Sequence, residues 1–94
     1  MHVKIVTFTR ESTDVPFFTR ERDMHFYFTT LHLDGKILLE KRSFSDDMLV
    51  YTRETHWKSK EEYDTASTDE TMIEFRKARD KYLCENNIVM TDVS

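Results

Sequence analysis

Residues that interrupt regular structure are rare in this 94-residue chain, which contains one glycine, Gly35, and one proline, Pro16. Glycine reaches positive φ without a steric penalty, and proline fixes φ and lacks an amide hydrogen, so both residues are typical of turns. We therefore predict that Pro16 and Gly35 each mark a turn.

The sequence on either side of Pro16 predicts one strand followed by one loop. Polar and apolar side chains alternate over residues 2–9, and this segment is rich in β-branched side chains, which favours a strand. Residues 10–23 are mostly polar, and we interpret them as a loop that Phe17 and Phe18 anchor to the core. The alternative is a binding lid with an aromatic tip.

Residues 24–55 are predicted to form a meander of three antiparallel strands. Aromatic residues and threonines favour a strand over residues 24–33, and Asp34-Gly35 supplies the positive-φ pair of a type I′ hairpin turn. Residues 37–44 then return as the partner strand. A second turn at residues 45–47 leads into a third strand at residues 48–55.

From Trp57 onward the sequence predicts helices. Ser59 and Glu62 have the Ser-x-x-Glu spacing in which a hydroxyl and a carboxylate cap backbone amides, so a short helix through about Ala66 is expected. Ser67 and Glu70 repeat this signature at the start of a second helix. One stripe of that helix is apolar at helical spacing and is expected to face the core; it contains Met72, Phe75, Ala78, Tyr82 and Leu83.

The end of the second helix is predicted at Asn86 and Asn87, since asparagine tolerates the left-handed conformation of a helix cap. Residues 88–90 then favour a final short strand. The fold class is therefore α+β, with an antiparallel sheet (strand, loop, three-strand meander, helices, short strand) and C-terminal helices on one face. The length predicts one domain over residues 1–94.

Several predicted strands are apolar on both faces, and one helical layer covers only one face of a sheet. The simplest cover for the second face is another copy of the chain, because a two-fold pair buries two such faces with one patch. The aromatic loop at residues 16–18 is an alternative cover. The sequence thus predicts a homodimer whose interface contains Tyr27, Leu31 and Leu39.

The net charge of −4 disfavours generic binding to nucleic acid, which needs a basic face. RNA recognition by Phe26, Tyr27 and Phe28 is also disfavoured, because this segment lacks the glycines and basic residues of RNA-recognition modules. Five lysines and arginines allow two interpretations: they form a small basic patch, or they are solvated surface residues that each pair with a neighbouring acid. That patch would contain Arg20, Arg22, Lys41, Arg42 and Arg53.

Membrane insertion and secretion have no support in the sequence. No apolar run approaches the roughly 20 residues that cross a bilayer, and the N-terminus lacks a signal-peptide core. The single cysteine, Cys84, cannot form an internal disulfide, which fits a reducing compartment. We therefore expect a cytoplasmic protein.

The segment LVYTRETHWKSKEEY at residues 49–63 resembles the dimeric α+β-barrel superfamily, which includes antibiotic-biosynthesis-monooxygenase-like domains. In that superfamily a strand ends in a Trp, here Trp57, and a Ser-containing cap, helices and a final strand follow. The similarity covers roughly the last 45 residues. It implies a dimeric ferredoxin-like fold with a helix between the first two strands, where we interpret residues 10–23 as a loop.

The same resemblance does not choose an activity, because members of the superfamily range from cofactor-independent oxygenases through haem-degrading enzymes to proteins with no demonstrated chemistry. We expect no metal or cofactor, since one glycine cannot form a Gly-rich phosphate loop and the histidines lack metal-ligand spacing. His56, beside Trp57, is the candidate for proton transfer. The alternative is a surface histidine that flanks a packed Trp.

Two classes of function are carried forward, and whether the protein is an enzyme stays open. The first is a small dimeric interaction or regulatory protein, with no catalytic constellation, whose acidic helix at residues 69–85 binds a partner protein. The second is a small-ligand binder or cofactor-independent monooxygenase-like enzyme with an apolar pocket between sheet and helices. Such a pocket would be lined by Phe28, Tyr51, Trp57 and Tyr82.

Overall fold

The computed structural model describes residues 1–94 and contains four strands and three helices in the order βαββααβ. These elements are β1 (His2–Thr9), α1 (Arg22–Leu33), β2 (Ile37–Phe44), β3 (Val50–Trp57), α2 (Lys60–Ser67), α3 (Glu70–Glu85) and β4 (Val89–Asp92). The strands form one antiparallel sheet in the order β2-β3-β1-β4. The predicted α+β class with a ferredoxin-like arrangement is therefore confirmed.

The two faces of the sheet differ because side chains alternate along each strand. On β3, Thr55 and Trp57 are buried, at 7% and 3% exposure, and point toward the helices. By alternation, Glu54 and His56 point to the opposite side, which no helix covers. We call the first the helix face and the second the open face.

The segment at residues 24–33 is a helix, so the predicted strand and three-strand meander are wrong there. Met24, Phe28 and Leu31 lie at helical spacing and are all buried, whereas Phe26 and Leu33 are 72% and 82% exposed. The local preference of aromatic residues and threonines for strands is overridden because the helical spacing buries three side chains in the core. Only β2 and β3 form a hairpin.

The threonines of α1 are accommodated by backbone hydrogen bonds within the helix. The Thr29 hydroxyl donates to the carbonyl of His25 at 3.0 Å, and the Thr30 hydroxyl donates to that of Phe26 at 3.1 Å. Such bonds satisfy β-branched hydroxyls inside a helix.

Gly35 ends α1 and does not form the predicted hairpin turn. Its φ is +72°, and its N–H donates to the His32 carbonyl at 3.0 Å. The Lys36 N–H donates to the Leu31 carbonyl at 2.9 Å. This pair of bonds is the Schellman motif, in which a left-handed glycine closes a helix.

The predicted cap of α2 is confirmed, because the Ser59 hydroxyl accepts from the Glu62 N–H at 3.1 Å. The cap of α3 lies two residues later than predicted: Asp69, not Ser67, accepts from the Thr71 N–H at 2.9 Å. The negative charge of an aspartate at this position also interacts favourably with the positive N-terminal end of the helix dipole. The left-handed end of α3 is confirmed at Asn87, with φ of 54°.

The ends of two strands differ slightly from the prediction. β3 occupies Val50–Trp57 where residues 48–55 were expected, and β4 occupies Val89–Asp92 where residues 88–90 were expected. The main core lies between the helix face and the helices. It contains Met24, Phe28, Leu31, Ile37, Trp57, Ala66, Met72 and Phe75.

Substituting Gly35→Ala is expected to lower the free energy of unfolding by about 1–2 kcal/mol, because an L-residue is strained at positive φ. A Cβ at this position would meet no atom within 4 Å, so strain alone accounts for the loss. Urea unfolding measures the change. Asn87→Gly, at the equivalent position after α3, is the control and should not destabilise the protein. Equal destabilisation by both variants would contradict this account.

Candidate functional site

The larger cavity, of about 410 Å³, lies on the helix face between the sheet, α3 and the loop that joins β1 to α1. We call it the main cavity. Aromatic rings and guanidinium groups dominate its lining. The lining residues are Phe8, Phe17, Phe18, Thr19, Arg20, His25, Arg42, Phe44, Tyr51, Arg53, Phe75 and Arg79.

A second cavity of about 240 Å³ adjoins the first, beside Trp57, and we call it the inner cavity. The two cavities share four lining residues, which are Phe8, Arg53, Phe75 and Arg79. Phe28 and Trp57 line the inner cavity from α1 and β3. A ligand in the main cavity would therefore reach toward the core at these shared residues.

The loop between β1 and α1 forms one wall of the main cavity, and polar contacts hold it on both sides. The Arg10 guanidinium donates to the Met48 carbonyl at 2.7 and 3.0 Å and to the Val15 carbonyl at 2.9 Å. The Tyr82 hydroxyl donates to the Pro16 carbonyl at 2.5 Å. The Arg10 side chain thus ties the loop to the β2–β3 turn, and Tyr82 ties the loop to α3 through a backbone acceptor.

The prediction that Phe17 and Phe18 anchor this loop to the core is confirmed for Phe18, whereas Phe17 packs against aromatic residues of the sheet outside the core cluster. The Phe18 ring lies 5.7 Å from that of Phe75 and packs against the core. The Phe17 ring lies 5.6 Å from that of Tyr51 and 6.1 Å from that of Phe44. Such spacings are typical of stabilising aromatic pairs. Phe17 therefore both anchors the loop and forms part of the cavity wall.

Three arginines converge on Glu40, a side chain of β2 that is only 11% exposed. Arg20 and Arg53 donate to its Oε1 at 2.8 and 3.0 Å, and Arg42 approaches Oε2 at 3.5 Å. Of the predicted basic patch, these three meet at one place. Lys41 is paired with Glu54 at 3.9 Å, and Arg22 is exposed on α1.

The surroundings of Arg20 show the electrostatic cost of this arrangement. Burial lowers the pKa of the Arg20 guanidinium below its ordinary value, and the neighbouring Glu40 carboxylate opposes that effect. The guanidinium also lies 3.6 Å from the centroid of the Phe28 ring, a favourable cation–π contact. Burial likewise raises the pKa of the Tyr51 hydroxyl in the same cavity wall.

Three of the four predicted pocket residues line a cavity. Tyr51 lines the main cavity, and Phe28 and Trp57 line the inner one. Tyr82 lines neither; its ring packs against Phe18 at 5.5 Å and its hydroxyl holds the loop.

His56, the predicted candidate for proton transfer, lies on the open face and lines neither cavity. Adjacent residues of a strand point to opposite faces, and Trp57 occupies the helix face. The His56 ring instead contacts the Glu54 carboxylate at 2.5 Å. This contact lowers the pKa of the Glu54 carboxyl below its ordinary value.

The predicted interface residues Tyr27 and Leu31 do not lie on a sheet face, because both belong to α1. Leu31 is 5% exposed in the core, and Tyr27 packs against the same cluster. Leu39 does lie on the open face, since it pairs with His56, and it is 41% exposed.

The cavity arginines are the residues that the sequence analysis failed to place at the site. Alternation along β3 was the available signal, since it puts Tyr51, Arg53 and Trp57 on one face. Arg79 lies four residues after Phe75 on α3, so a helical repeat places it beside a core residue. No comparable signal identifies Arg20, because it belongs to an irregular loop.

No group of three or more His, Cys, Asp or Glu side chains is placed to hold a metal ion. None of the helices combines the length and apolar character needed to span a membrane.

Comparison with known proteins identifies a structural likeness. No protein-family model matches the sequence, and no curated protein matches it. A solved structure of an antibiotic-biosynthesis-monooxygenase-like protein from Deinococcus radiodurans is similar with a TM-score of 0.52. The likeness covers 99% of this chain and 91% of that chain, at 12% sequence identity. This chain shares the fold of that protein.

At 12% identity, this likeness shows the fold alone. It confirms the resemblance found at residues 49–63 and extends it over the N-terminal half of the chain. The helix that the resemblance implied between the first two strands is α1, which begins at Arg22.

Replacing Glu40 by Gln is expected to lower the free energy of unfolding by about 1–3 kcal/mol, because three arginines would lose their shared anion. Thermal or urea unfolding measures the loss. Glu74→Gln is the control, since Glu74 is 74% exposed and pairs with Lys77 only at the surface. Similar unfolding midpoints for Glu40→Gln and the wild type would show that the cluster is not held by Glu40.

Asp92 on β4 is expected to make the protein less stable in acid. Its hydrogen bond with Lys4, and further bonds with Ser94, hold the pKa of the Asp92 carboxyl well below its ordinary value. As pH falls below about 4, the unfolded chain binds a proton at this carboxyl before the folded chain does, so folding stability decreases.

The corresponding variant, Asp92→Asn, removes this proton linkage. It should therefore lose less stability than the wild type when the pH is lowered from about 5 to about 2. Urea unfolding at several pH values measures the slope. Asp46→Asn, in the exposed β2–β3 turn, is the control and should keep the wild-type slope. Identical slopes for Asp92→Asn and the wild type would contradict the assignment.

Proposed function

We propose that this protein binds a small molecule with an apolar, planar body in the main cavity. The observation that carries the proposal is a concave site of about 410 Å³ walled by aromatic side chains. Small-molecule sites commonly occupy about 300–1,000 Å³ and combine apolar walls with a few polar groups. The aromatic wall consists of Phe8, Phe17, Phe18, Phe44, Tyr51 and Phe75.

The arrangement of the aromatic rings supports a planar ligand. The rings of Phe17, Phe44 and Tyr51 lie 5.1–6.1 Å apart and come from the loop, β2 and β3. Phe44 is 49% exposed, which leaves ring surface available for a ligand. Ring-on-ring contact adds stabilisation beyond the burial of apolar area.

A monooxygenase-like reaction on the bound molecule is a second candidate, favoured by the shared fold alone. The main cavity contains no nucleophile hydrogen-bonded to a base, and His56 lies on the other face of the sheet. Because one fold supports many chemistries, we propose binding as the function and leave a reaction as the narrower hypothesis.

We further propose that the protein forms a homodimer through its open face. That face has no helical cover and includes Leu39, together with Ile5, which pairs with Glu54 across the sheet. Val89, at the edge of the same face, is 62% exposed. A second copy would remove these side chains from water with a single self-complementary patch.

The alternative of a regulatory protein that binds a partner through the acidic α3 has less support. Glu74 and Glu85 are paired within the helix, with Lys77 at 3.5 Å and Lys81 at 4.0 Å. These lysines reduce the acidic field that a basic partner would recognise. A cytoplasmic location is proposed together with the binding function, because it fits the single free cysteine, Cys84.

Binding of neutral 2-naphthamide, followed by fluorescence or calorimetry, tests the proposed function. Phe17→Ala should weaken binding by about 2- to 10-fold, the effect of losing one aromatic contact. Phe26→Ala is the matched control, because Phe26 is 72% exposed on α1 and lines neither cavity. Equal affinity in the two variants would place the naphthamide outside the main cavity, and no binding to the wild type would reject the function.

A further inference from the structure

We propose that the ligand of the main cavity is an aromatic carboxylate, whose ring lies against the aromatic wall and whose anionic group binds the cavity arginines. This inference rests on the proposed binding function and specifies its ligand class. It depends on three separate features: the charge balance of the cavity, an unpartnered buried donor, and the way Glu40 is already held.

The cavity is cationic although the protein is acidic. Four arginines line the main cavity, and no aspartate or glutamate does, in a chain of net charge −4. Each arginine comes from a different element: the loop, β2, β3 and α3. Four separate segments therefore bring positive charge to one apolar site. The four are Arg20, Arg42, Arg53 and Arg79.

The neighbouring acids compensate only part of this charge. Arg20, Arg42 and Arg53 share the single carboxylate of Glu40. Arg79 pairs with Asp80 at 3.0 Å, on an aspartate side chain that is 60% exposed. The Glu40 cluster thus keeps two positive charges in excess. Water solvates the charge on Arg42, whose side chain is 54% exposed. Arg20 and Arg53 are only 11% and 19% exposed and share one carboxylate, and an unpaired charge away from water is costly, so a ligand anion would stabilise this pair.

Arg53 provides the unpartnered donor. Its Nη2 donates to Glu40, but its Nε is buried and has no hydrogen-bond partner. Arg53 lines both cavities, as does Arg79, and their side chains are each 19% exposed. A buried donor normally has a partner, so the hydrogen-bonding groups of Arg53 are incompletely satisfied within the protein. An anion at the junction of the cavities would interact favourably with this guanidinium.

Glu40 shows which type of anion the cluster accepts. Both of its oxygens face guanidinium groups, at 2.8 to 3.5 Å. The planar guanidinium matches the geometry of a carboxylate, which accepts several charge-assisted hydrogen bonds. A carboxylate on an aromatic ring combines this group with the planar body that the aromatic wall favours.

The decisive experiment compares 2-naphthoate with 2-naphthamide, which have the same ring and differ in charge. The wild type should bind the naphthoate at least about tenfold more tightly, the factor that one charge-assisted hydrogen bond supplies. Added salt should weaken the binding of 2-naphthoate more than the binding of 2-naphthamide. Calorimetry at two salt concentrations measures both.

Variants locate the anion. Arg53→Gln and Arg79→Gln should each reduce the naphthoate preference by about threefold or more, whereas Arg22→Gln, on the exposed start of α1, should retain it. Arg79→Gln is included because its ion-pair partner, Asp80, is exposed to water, so removing the Arg79 charge should not unfold the protein. Glu40→Gln should increase the preference, since it releases arginine donors from their internal anion.

The outcomes separate this inference from the proposed function. If the wild type binds both compounds with equal affinity, the cavity binds small molecules but the carboxylate inference is overturned. If the naphthoate preference survives both Arg53→Gln and Arg79→Gln, the anion binds elsewhere and the inference is also overturned. If neither compound binds, the proposed function fails and the inference fails with it.

Discussion

The packing of Phe28 against the helix face holds together the parts of this protein that form its candidate site. Phe28 projects from α1, is 4% exposed, and meets the ring of Phe75 on α3 in an edge-to-face contact at 5.8 Å. The guanidinium of Arg20 lies over the same ring. One side chain thus fixes α1, α3 and the end of the β1–α1 loop relative to the sheet, because close packing leaves little freedom at such a junction.

The charged cluster depends on that packing. Arg20 approaches Glu40 because the loop ends beside Phe28, and Arg53 meets the same carboxylate from β3. Burial makes each guanidinium expensive to leave unpaired, and Glu40 offsets only part of this cost. The site therefore combines a rigid aromatic wall with positive charge that the protein itself does not fully neutralise.

The two faces of the sheet separate the two proposed roles of the molecule, ligand binding and self-association. The helix face carries the cavities, while the open face carries Leu39 and the pair formed by Glu54 and His56. Strand alternation makes this separation unavoidable, because Trp57 and its neighbour His56 cannot point the same way. Self-association through one face would therefore leave the ligand site on the other face accessible.

The sequence by itself determined the elements whose signals are local. The alternation of polar and apolar side chains predicted β1, and the Ser59 cap predicted the start of α2. The end of α3 was predicted at Asn87 because asparagine tolerates the left-handed backbone conformation. Each of these depends on contacts within a few residues, so no knowledge of the rest of the chain is needed. The local resemblance at residues 49–63 likewise indicated the fold.

Only the tertiary structure decided the state of α1 and the composition of the site. The residues of α1 prefer strands locally, yet the helix forms because Met24, Phe28 and Leu31 then bury one face against the sheet. The gathering of Arg20 and Arg53 depends on segments far apart in the chain. Burial and convergence are properties of the folded chain as a whole, so a sequence pattern of short range cannot specify them.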